Sequence, residues 1–225
     1  MSDLQRMKEH YIKRDAEAWS SFNCYPFFLD CTQSYYLTQI LAPIDLSVTN
    51  YLDIGAGEGN FILKLMALGV LPQNITAVEY LETRFVKLQE KLPHINAIHQ
   101  DFMTTELPHQ YTLITLMAVL TSITDNTLRY ALLEKAIDAL EEEGSLILYD
   151  YFDDKEPMLN KDYRALSLSK VQKIAEHHKV SIHKNVYLKG RYAKGLCKVG
   201  LRTFIPLIQS LKIFNDIYHF VVITK

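Results

Sequence analysis

The sequence predicts an α/β fold built on a doubly wound, parallel sheet. Five short apolar runs alternate with helical stretches between about residue 50 and residue 151, and the first run leads directly into a glycine-rich turn. Strands that alternate with helices imply right-handed crossovers, which make the strands parallel. With 225 residues, 48% of them hydrophobic, the chain has room for one such domain and an appendage.

The elements alternate in a regular order. Strands are expected at Tyr51–Ile54, Ile75–Glu79, Ile95–His99, Thr112–Met117 and Ser145–Tyr151. Helices are expected at Asn60–Leu68, Leu81–Leu92, Asn126–Leu140 (with Gly144 at its end) and Ala165–His178. Two late strand-like runs lie at Val180–Leu188 and Tyr218–Thr224. Residues 1–48 are helical and aromatic in pattern, which predicts a helical N-terminal lid on a sheet domain of residues 49–225.

The glycine turn carries most of the functional information. Residues 51–59 read Tyr-Leu-Asp-Ile-Gly-Ala-Gly-Glu-Gly, so a strand passes into three alternating glycines and then a helix. Such a turn offers backbone N–H groups to a ligand. A dinucleotide fingerprint would need glycine at position 60, where Asn60 stands. The carboxylates of Asp53 and Glu58 would repel a pyrophosphate and would suit a nucleoside that carries an ammonium and a sulfonium.

Polar side chains also stand at the ends of the next strands. Glu79 ends the second strand, 22 residues after Gly57, where a carboxylate can accept hydrogen bonds from both hydroxyls of a ribose. Tyr80 comes next and could lie against an adenine, and Asp101 comes directly after the third strand. In isolation each has a simpler interpretation, such as a helix cap, but three features on successive strand ends indicate one ligand site.

These residues resemble motif I, D/E-x-G-x-G-x-G, of the class I S-adenosylmethionine-dependent methyltransferases, which is matched without a gap. The resemblance implies S-adenosylmethionine as cofactor and a mostly parallel, seven-stranded, Rossmann-like sheet with an antiparallel last strand. It implies that Asp101 accepts a hydrogen bond from the adenine and that no metal is needed. The cofactor-binding residues expected on this basis are Tyr11, Arg14, Asp53, Gly55, Ala56, Gly57, Gly59, Glu79, Tyr80, Asp101, Phe102 and Met117.

The residues after the fourth strand constrain the methyl acceptor. The sequence Met117-Ala-Val-Leu-Thr121 lacks the Asn/Asp-Pro-Pro-aromatic motif of enzymes that methylate adenine or glutamine nitrogens. Short motifs at both ends of the chain resemble a bacterial branch found among genes for surface polysaccharides, which implies a sugar hydroxyl as acceptor. Those motifs are Tyr11–Arg14, Leu148–Tyr151, Asn160, Arg164 and Ile223–Lys225.

A hydroxyl acceptor is helped by a general base as the methyl group transfers in line. The candidates are Asp150, Tyr151 and Asp153, with Asp150 slightly favoured as the catalytic residue ahead of Tyr151. The alternatives are that Asp150 only holds a loop and that Tyr151 only walls the pocket.

Charge is distributed unevenly along the chain. Residues 1–160 carry 11 basic and 23 acidic side chains, whereas residues 161–225 carry 13 basic and 3 acidic ones. The basic third suits a small or carrier-linked anionic acceptor, such as a nucleotide sugar or a lipid-linked glycan, or it simply complements the acidic body. An RNA methyltransferase is the first alternative, with an electrostatic footprint at Lys184, Lys189, Arg191, Lys194, Lys198 and Arg202. Others are a non-catalytic cofactor-binding module and a segment, Arg191–Phe214, that lies on an anionic membrane.

The location expected from the sequence is the cytoplasm. The N-terminal residues Met1–Arg6 lack the apolar region of a signal peptide, and no apolar run is long enough to cross a membrane. Three cysteines without metal-ligand spacing predict reduced thiols.

Overall fold

The computed structural model describes nearly the whole sheet domain and only parts of the terminal segments. Its described residues are 5–6, 9–10, 24–188, 190–200, 204, 207 and 218–225. The predicted cofactor contacts Tyr11 and Arg14 lie outside the described residues.

Six helices and seven strands are numbered along the described chain. The helices are α1 (Cys24–Leu41), α2 (Asn60–Leu68), α3 (Glu82–Lys91), α4 (Asn126–Asp138), α5 (Leu168–His177) and α6 (Gly190–Lys198). The strands are β1 (Tyr51–Ile54), β2 (Ile75–Glu79), β3 (Asn96–His99), β4 (Tyr111–Met117), β5 (Leu140–Tyr151), β6 (Ser181–Leu188) and β7 (Tyr218–Thr224). Side-chain caps start two of the helices: Asp125 accepts from two backbone N–H groups of α4, and Ser167 accepts from one in α5.

The strands form one sheet in the order β3-β2-β1-β4-β5-β7-β6. Pairing is parallel from β3 to β5, whereas β7 runs antiparallel to both of its neighbours. The predicted fold, a mostly parallel seven-stranded sheet whose last strand is antiparallel, is therefore confirmed. Strand order reverses between β1 and β4, which makes the carboxyl ends of these two strands the expected ligand site.

Helices cover both faces of the sheet. Leu52 and Ile54 of β1 belong to a buried cluster that includes residues of α4 and α5. Tyr51 of the same strand belongs to a second buried cluster, shared with residues of α1, α2 and α3. Alternate residues of the strand thus face opposite layers, as the pleat of a buried parallel strand requires.

The junction between α4 and β5 differs from the prediction. The helix ends at Asp138, and the acidic run 141–143 belongs to β5, which begins at Leu140. Gly144 is therefore a strand residue, where an added Cβ would lie 2.9 Å from the carbonyl oxygen of Glu141 and 3.0 Å from that of Tyr111. A register shift between Tyr111 and Leu113 accommodates the extra residues, so close backbone approach, and not helix termination, explains this glycine.

Two further predictions, on the cysteines and on membrane-spanning helices, can be compared with the structure. Cys31 is a free, exposed thiol, but Cys197 takes part in a disulfide bond, so the prediction that all three cysteines are reduced is wrong. Among the described residues, no helix has both the length and the apolar character to cross a membrane.

Candidate functional site

The glycine turn between β1 and α2 is built from residues in the left-handed region. Gly55 and Gly59 have φ values of 71° and 76°, where a side chain is strained. A Cβ on Gly55 would lie 2.7 Å from Val119 Cγ2, and one on Gly59 would lie 2.7 Å from leucine carbons of the α3 region. Backbone conformation therefore favours glycine at both positions, and the neighbouring side chains would have to shift to admit a Cβ.

Gly57 is different, because the space beside it is open. Its φ is 59°, and within the described part of the chain Nη1 of Arg84, at 3.5 Å, is the single atom within 4 Å of an added Cβ. Its backbone N–H donates to Oε2 of Glu79 over 2.7 Å. Gly57 thus leaves an open cradle beside a buried carboxylate at the switch point of the sheet.

Glu79 ties the turn to the end of β2. Its other carboxylate oxygen, Oε1, accepts from the backbone N–H of Leu81 over 2.7 Å, and the residue is buried. Each oxygen of a carboxylate can accept more than one hydrogen bond, so the group can still receive the hydroxyls of a ligand. The same carboxylate therefore orders the turn and remains available as an acceptor.

Asp53 lies in β1 and carries an unsatisfied oxygen. Its Oδ1 accepts from the hydroxyl of Thr115 over 2.6 Å, and that hydroxyl lies 2.7 Å from the hydroxyl of Tyr51. Its Oδ2 is buried without a hydrogen-bond partner in the described part of the chain. Burial, joined by repulsion from Glu79, raises the pKa of Asp53 to about 7. A buried, unsatisfied carboxylate oxygen suits a cationic ligand group.

A cavity of about 240 Å³ lies at the carboxyl ends of β1, β2 and β4. Six of the predicted cofactor-binding residues line it, namely Gly55, Glu79, Tyr80, Asp101, Phe102 and Met117. Asp53, Ala56, Gly57 and Gly59 belong to the adjacent strand and turn. The structure therefore brings predicted residues from the ends of four strands, β1 to β4, to one cavity.

The far wall of the cavity is the turn after β3. Oδ1 of Asp101 accepts from the backbone N–H of Met103 over 2.9 Å. The ammonium of Lys135, on α4, donates to the carbonyl oxygens of Phe102, Met103 and Thr105 over 2.7, 3.0 and 2.8 Å. All three donors of one lysine thus hold this turn in place.

The loop after β4 forms the side of the cavity nearest to β5. Ala118 lines the cavity and has a φ of 59°, a rare and strained conformation for alanine. Its N–H donates to the carbonyl of Tyr149 over 2.7 Å. The chain is thereby turned sharply toward Val119, which packs on the glycine turn.

Asp150, the favoured catalytic candidate, is fully buried and serves this loop. Its Oδ2 accepts from the backbone N–H groups of Leu120 and Thr121 over 3.0 and 3.3 Å, and the Thr121 hydroxyl donates to its Oδ1. Burial raises its pKa to about 7. Neither Asp150 nor Tyr151 is among the residues that line the cavity; Asp150 is buried and Tyr151 is half-buried. The geometry places Asp150 as a support of the 120–122 turn.

Several residues of the site were not anticipated from the sequence. Arg84 and Gln100 line the cavity near Glu79, and Ser122, Ile123, Leu128 and Leu132 line it on the side of α4. The spacing of Leu128 and Leu132, four residues apart on one helix, was a usable signal for a shared face. The positions of Arg84 and Lys135 depend on contacts between elements, for which the sequence offers no local signal.

The first residues of the chain reach the same loop. Arg6 donates to the carbonyl of Ser122 over 2.5 Å and to the carbonyl of Asp162 over 2.8 Å. His10 lies 2.7 Å from Oδ2 of Asp162 and 3.1 Å from the hydroxyl of Tyr163. The part of the N-terminal segment that the structure describes therefore contacts a cavity-lining residue. In the described residues no cluster of three or more His, Cys, Asp or Glu side chains could hold a metal ion.

Comparisons with known proteins agree with this geometry. The sheet and its helices superpose on a magnesium protoporphyrin IX methyltransferase from Synechocystis PCC 6803 with bound S-adenosylmethionine, with a TM-score of 0.67, 14% identity, and 100% and 98% of the two chains covered. A mitomycin 7-O-methyltransferase gives a TM-score of 0.60 with 16% identity, over 100% of this chain and 61% of the other. No curated protein sequence matches the chain.

The structural likeness alone shows the fold. A [4+2]-cyclase also superposes, with a TM-score of 0.61, 13% identity, and 84% and 80% of the two chains covered, so this fold carries more than one chemistry. The activity class comes from a family model described as a methyltransferase domain, which matches residues 34–184. Because that match spans well over half of the sequence, the chain belongs to the methyltransferase-domain family, and the predicted class, an S-adenosylmethionine-dependent methyltransferase of class I, is confirmed.

Proposed function

We propose that this enzyme transfers a methyl group from S-adenosylmethionine to a hydroxyl oxygen of a saccharide, either small or carrier-linked and anionic. The observation that carries the methyl donor is the arrangement of Asp53, Gly57 and Glu79 at the carboxyl ends of β1 and β2. Glu79 lines the cavity, and Asp53 and Gly57 belong to the adjoining strand and turn. The unsatisfied oxygen of Asp53 fits the ammonium of the donor, and the Glu79 carboxylate fits its ribose hydroxyls. The open cradle at Gly57 leaves room for the backbone to approach the ligand.

S-adenosylmethionine, when bound, supplies an electrophilic methyl group on a sulfonium. The residues of this chain have three tasks: they orient the donor, hold the acceptor hydroxyl in line with it, and receive the hydroxyl proton. Asp150 contributes to the second task by fixing the turn 120–122, so we propose it as a positioning residue. Tyr151 then remains the second candidate for contact with the acceptor.

The acceptor proposal rests on the sequence after β4 and on charge. Met117–Thr121 lacks the motif of nitrogen-methylating enzymes, and the basic last third of the chain suits a phosphate-bearing acceptor. Of the six basic residues named for RNA binding, the structure describes the side chains of Lys194 and Lys198 alone, and both are exposed. Residues 1–48 are proposed as a lid; the contacts of Arg6 with Ser122 and Asp162 support a closing role.

A cytoplasmic location belongs to the same proposal, because the methyl donor is a cytoplasmic metabolite. The disulfide bond of Cys197 is an observation against it, since persistent disulfides are rare in that compartment. Thiol quantification on protein purified under reducing and non-reducing conditions would show whether the bond persists.

The test of function uses a labelled methyl donor. The purified enzyme is incubated with labelled S-adenosylmethionine and, separately, with nucleotide sugars, lipid-linked glycans and total RNA. We expect label in a saccharide fraction and in a product that survives mild alkali, because a methyl ether resists hydrolysis that cleaves a methyl ester. Label confined to RNA would overturn the saccharide proposal, and failure to bind S-adenosylhomocysteine in calorimetry would overturn the donor.

A further inference from the structure

Three basic residues on one face of α3 lie along the glycine turn. Arg84, Lys87 and Lys91 are three and then four residues apart, which places them on the same side of the helix. The ammonium of Lys87 lies 2.8 Å from Oε1 of Glu58, and that of Lys91 lies 2.7 Å from Oδ1 of Asn60. Two of the three cations therefore pair with side chains of the turn.

Arg84, the first cation of this row, stabilises the Glu58 carboxylate electrostatically, as Lys87 and Lys91 do, but it lies beside a glycine of the turn. Opposite Arg84 the turn has Gly57, which carries no side chain, and Nη1 of Arg84 lies 3.5 Å from the position that a Cβ would occupy there. Unlike Lys87 and Lys91, Arg84 lines the cavity. The guanidinium thus extends past the turn to the space reserved for a ligand.

The surroundings of Arg84 identify the part of the ligand that it reaches. Gly57 donates its N–H to Glu79, and Glu79, Tyr80 and Asp101 line the cavity together with Arg84. A guanidinium offers planar hydrogen-bond donors, whereas the carboxylate of Glu79 only accepts. A ribose hydroxyl placed between them can donate to Glu79 and accept from Arg84, so the two side chains are chemically complementary.

We infer that Arg84 is a cofactor-binding residue that contacts the adenosine half of the methyl donor at its ribose. The inference rests on S-adenosylmethionine as the donor and adds a residue that the motif resemblance does not include. It differs from the alternative that Arg84 pairs with the carboxylate of the amino-acid half, because the two contacts respond differently to a truncated ligand.

Calorimetry with two ligands tests the inference. S-adenosylhomocysteine contains both halves of the donor, and 5′-methylthioadenosine contains the adenosine half without the amino acid. Arg84→Met should weaken both ligands by the same factor, about tenfold, which is the scale of a hydrogen bond from a charged group. The control is Lys173→Met, an exposed lysine of α5 away from the turn, which should change neither affinity by more than about twofold.

Each binding result has a different interpretation. A loss confined to S-adenosylhomocysteine would overturn the inference in favour of the amino-acid carboxylate, and unchanged affinity for both ligands would also overturn it. If wild-type protein bound neither ligand, the donor assignment itself would fail. Should Arg84→Met not fold, Arg84→Lys carries the same test: lysine keeps the charge and loses the planar donor pair, so an equal loss for both ligands is again expected.

Discussion

Charged side chains at the ends of β1 and β2 and those near the end of β5 have very different surroundings. At the ends of β1 and β2, which we call the donor side, the carboxylates of Asp53 and Glu79 accept some hydrogen bonds from the protein. They can accept further ones from a ligand. On the side that we propose for the acceptor, at the end of β5 and in the loop 152–167, the buried carboxylates of Asp150 and Glu156 are bound by groups of the protein, whereas Lys155 and Lys161 are exposed. Asp150 accepts from the turn 120–122, and Glu156 receives Arg129 and Lys170.

This difference distinguishes side chains that can bind a ligand from side chains that hold the protein's own loops in place. Buried polar groups are normally satisfied within the protein, so an unsatisfied one beside a cavity indicates a missing partner. Among the described residues, Oδ2 of Asp53 is such a group next to the glycine turn, and Nε of Arg129, beside Glu156, is also buried without a hydrogen-bond partner. The charge pairs of Glu156 shape a loop on the side that we propose for the acceptor, so we expect specificity for an acceptor to come from groups outside those pairs.

The largest expected effect is on stability, from a substitution of Glu156 in the loop 152–167. Arg129 is fully buried and donates to Oε1 of Glu156 over 2.5 Å, and Tyr130 donates to the same oxygen over 2.7 Å. Glu156→Gln leaves a buried cation without its anion, which should lower the free energy of unfolding by about 3 kcal/mol. Urea denaturation measures the change, with Glu176→Gln on the exposed face of α5 as the control.

Donor affinity gives the second part of this prediction. In the folded fraction of Glu156→Gln, the affinity for S-adenosylhomocysteine should stay within about twofold of wild type, since Glu156 does not line the cavity. A variant that keeps full stability, or that folds and loses the donor, would contradict the division between the two sides.

The next effect concerns the donor side. Asp53→Asn removes the negative charge but keeps the size of the side chain, so it should weaken S-adenosylhomocysteine by about thirtyfold through the lost charge-assisted pair with the ammonium. The affinity for 5′-methylthioadenosine, which has no ammonium, should not change. Calorimetry measures both values, and Asp30→Asn, an exposed surface change, is the control.

The pattern across ligands matters as much as the size of the loss. Asp53 should discriminate between the two ligands, whereas Arg84 should not, because they contact opposite halves of the donor. An equal loss of both ligands in Asp53→Asn would mean that the substitution disturbs the glycine turn as a whole.

A pH series sharpens the same comparison. Burial raises the pKa of Asp53 to about 7, so the carboxylate that binds the ammonium must lose a proton when the pH is below that value. Affinity for S-adenosylhomocysteine should therefore fall by about tenfold as the pH is lowered from about 8 to 6. Asp53→Asn should show a flat profile. Asp150, whose pKa is also raised to about 7, is still present in that variant, so a slope that persists there would assign the effect to the acceptor side.

The parts of the molecule that the sequence predicts well are those determined locally. Strand ends, the glycine turn and Glu79 are predicted by periodicity and motif spacing, and the structure brings Glu79 and Asp101 to one cavity. The sequence leaves two roles open for Asp150, general base and support of a loop, because the choice depends on Thr121, which the fold brings to its carboxylate. The start of β5 was also not predicted. The acidic run before Gly144 resembles the end of a helix, whereas pairing of Leu140 with Tyr111 places it in the sheet.

The smallest expected effect lies on the donor side, at the turn after β3. Lys135→Met keeps a long side chain but removes the three hydrogen bonds to the carbonyls of Phe102, Met103 and Thr105. We expect both ligands to weaken by about fivefold, because the turn that carries Asp101 loses its support while Asp101 itself remains. Hydrogen exchange of residues 101–105 should become faster in the variant.

The control for this prediction is Lys173→Met, an exposed lysine of α5, which should leave affinity and exchange unchanged. Faster exchange without any loss of affinity would show that ligand binding does not need a rigid turn after β3. In that case donor recognition would depend on Asp53, Glu79 and Arg84, and the ligand itself would order the turn that carries Asp101.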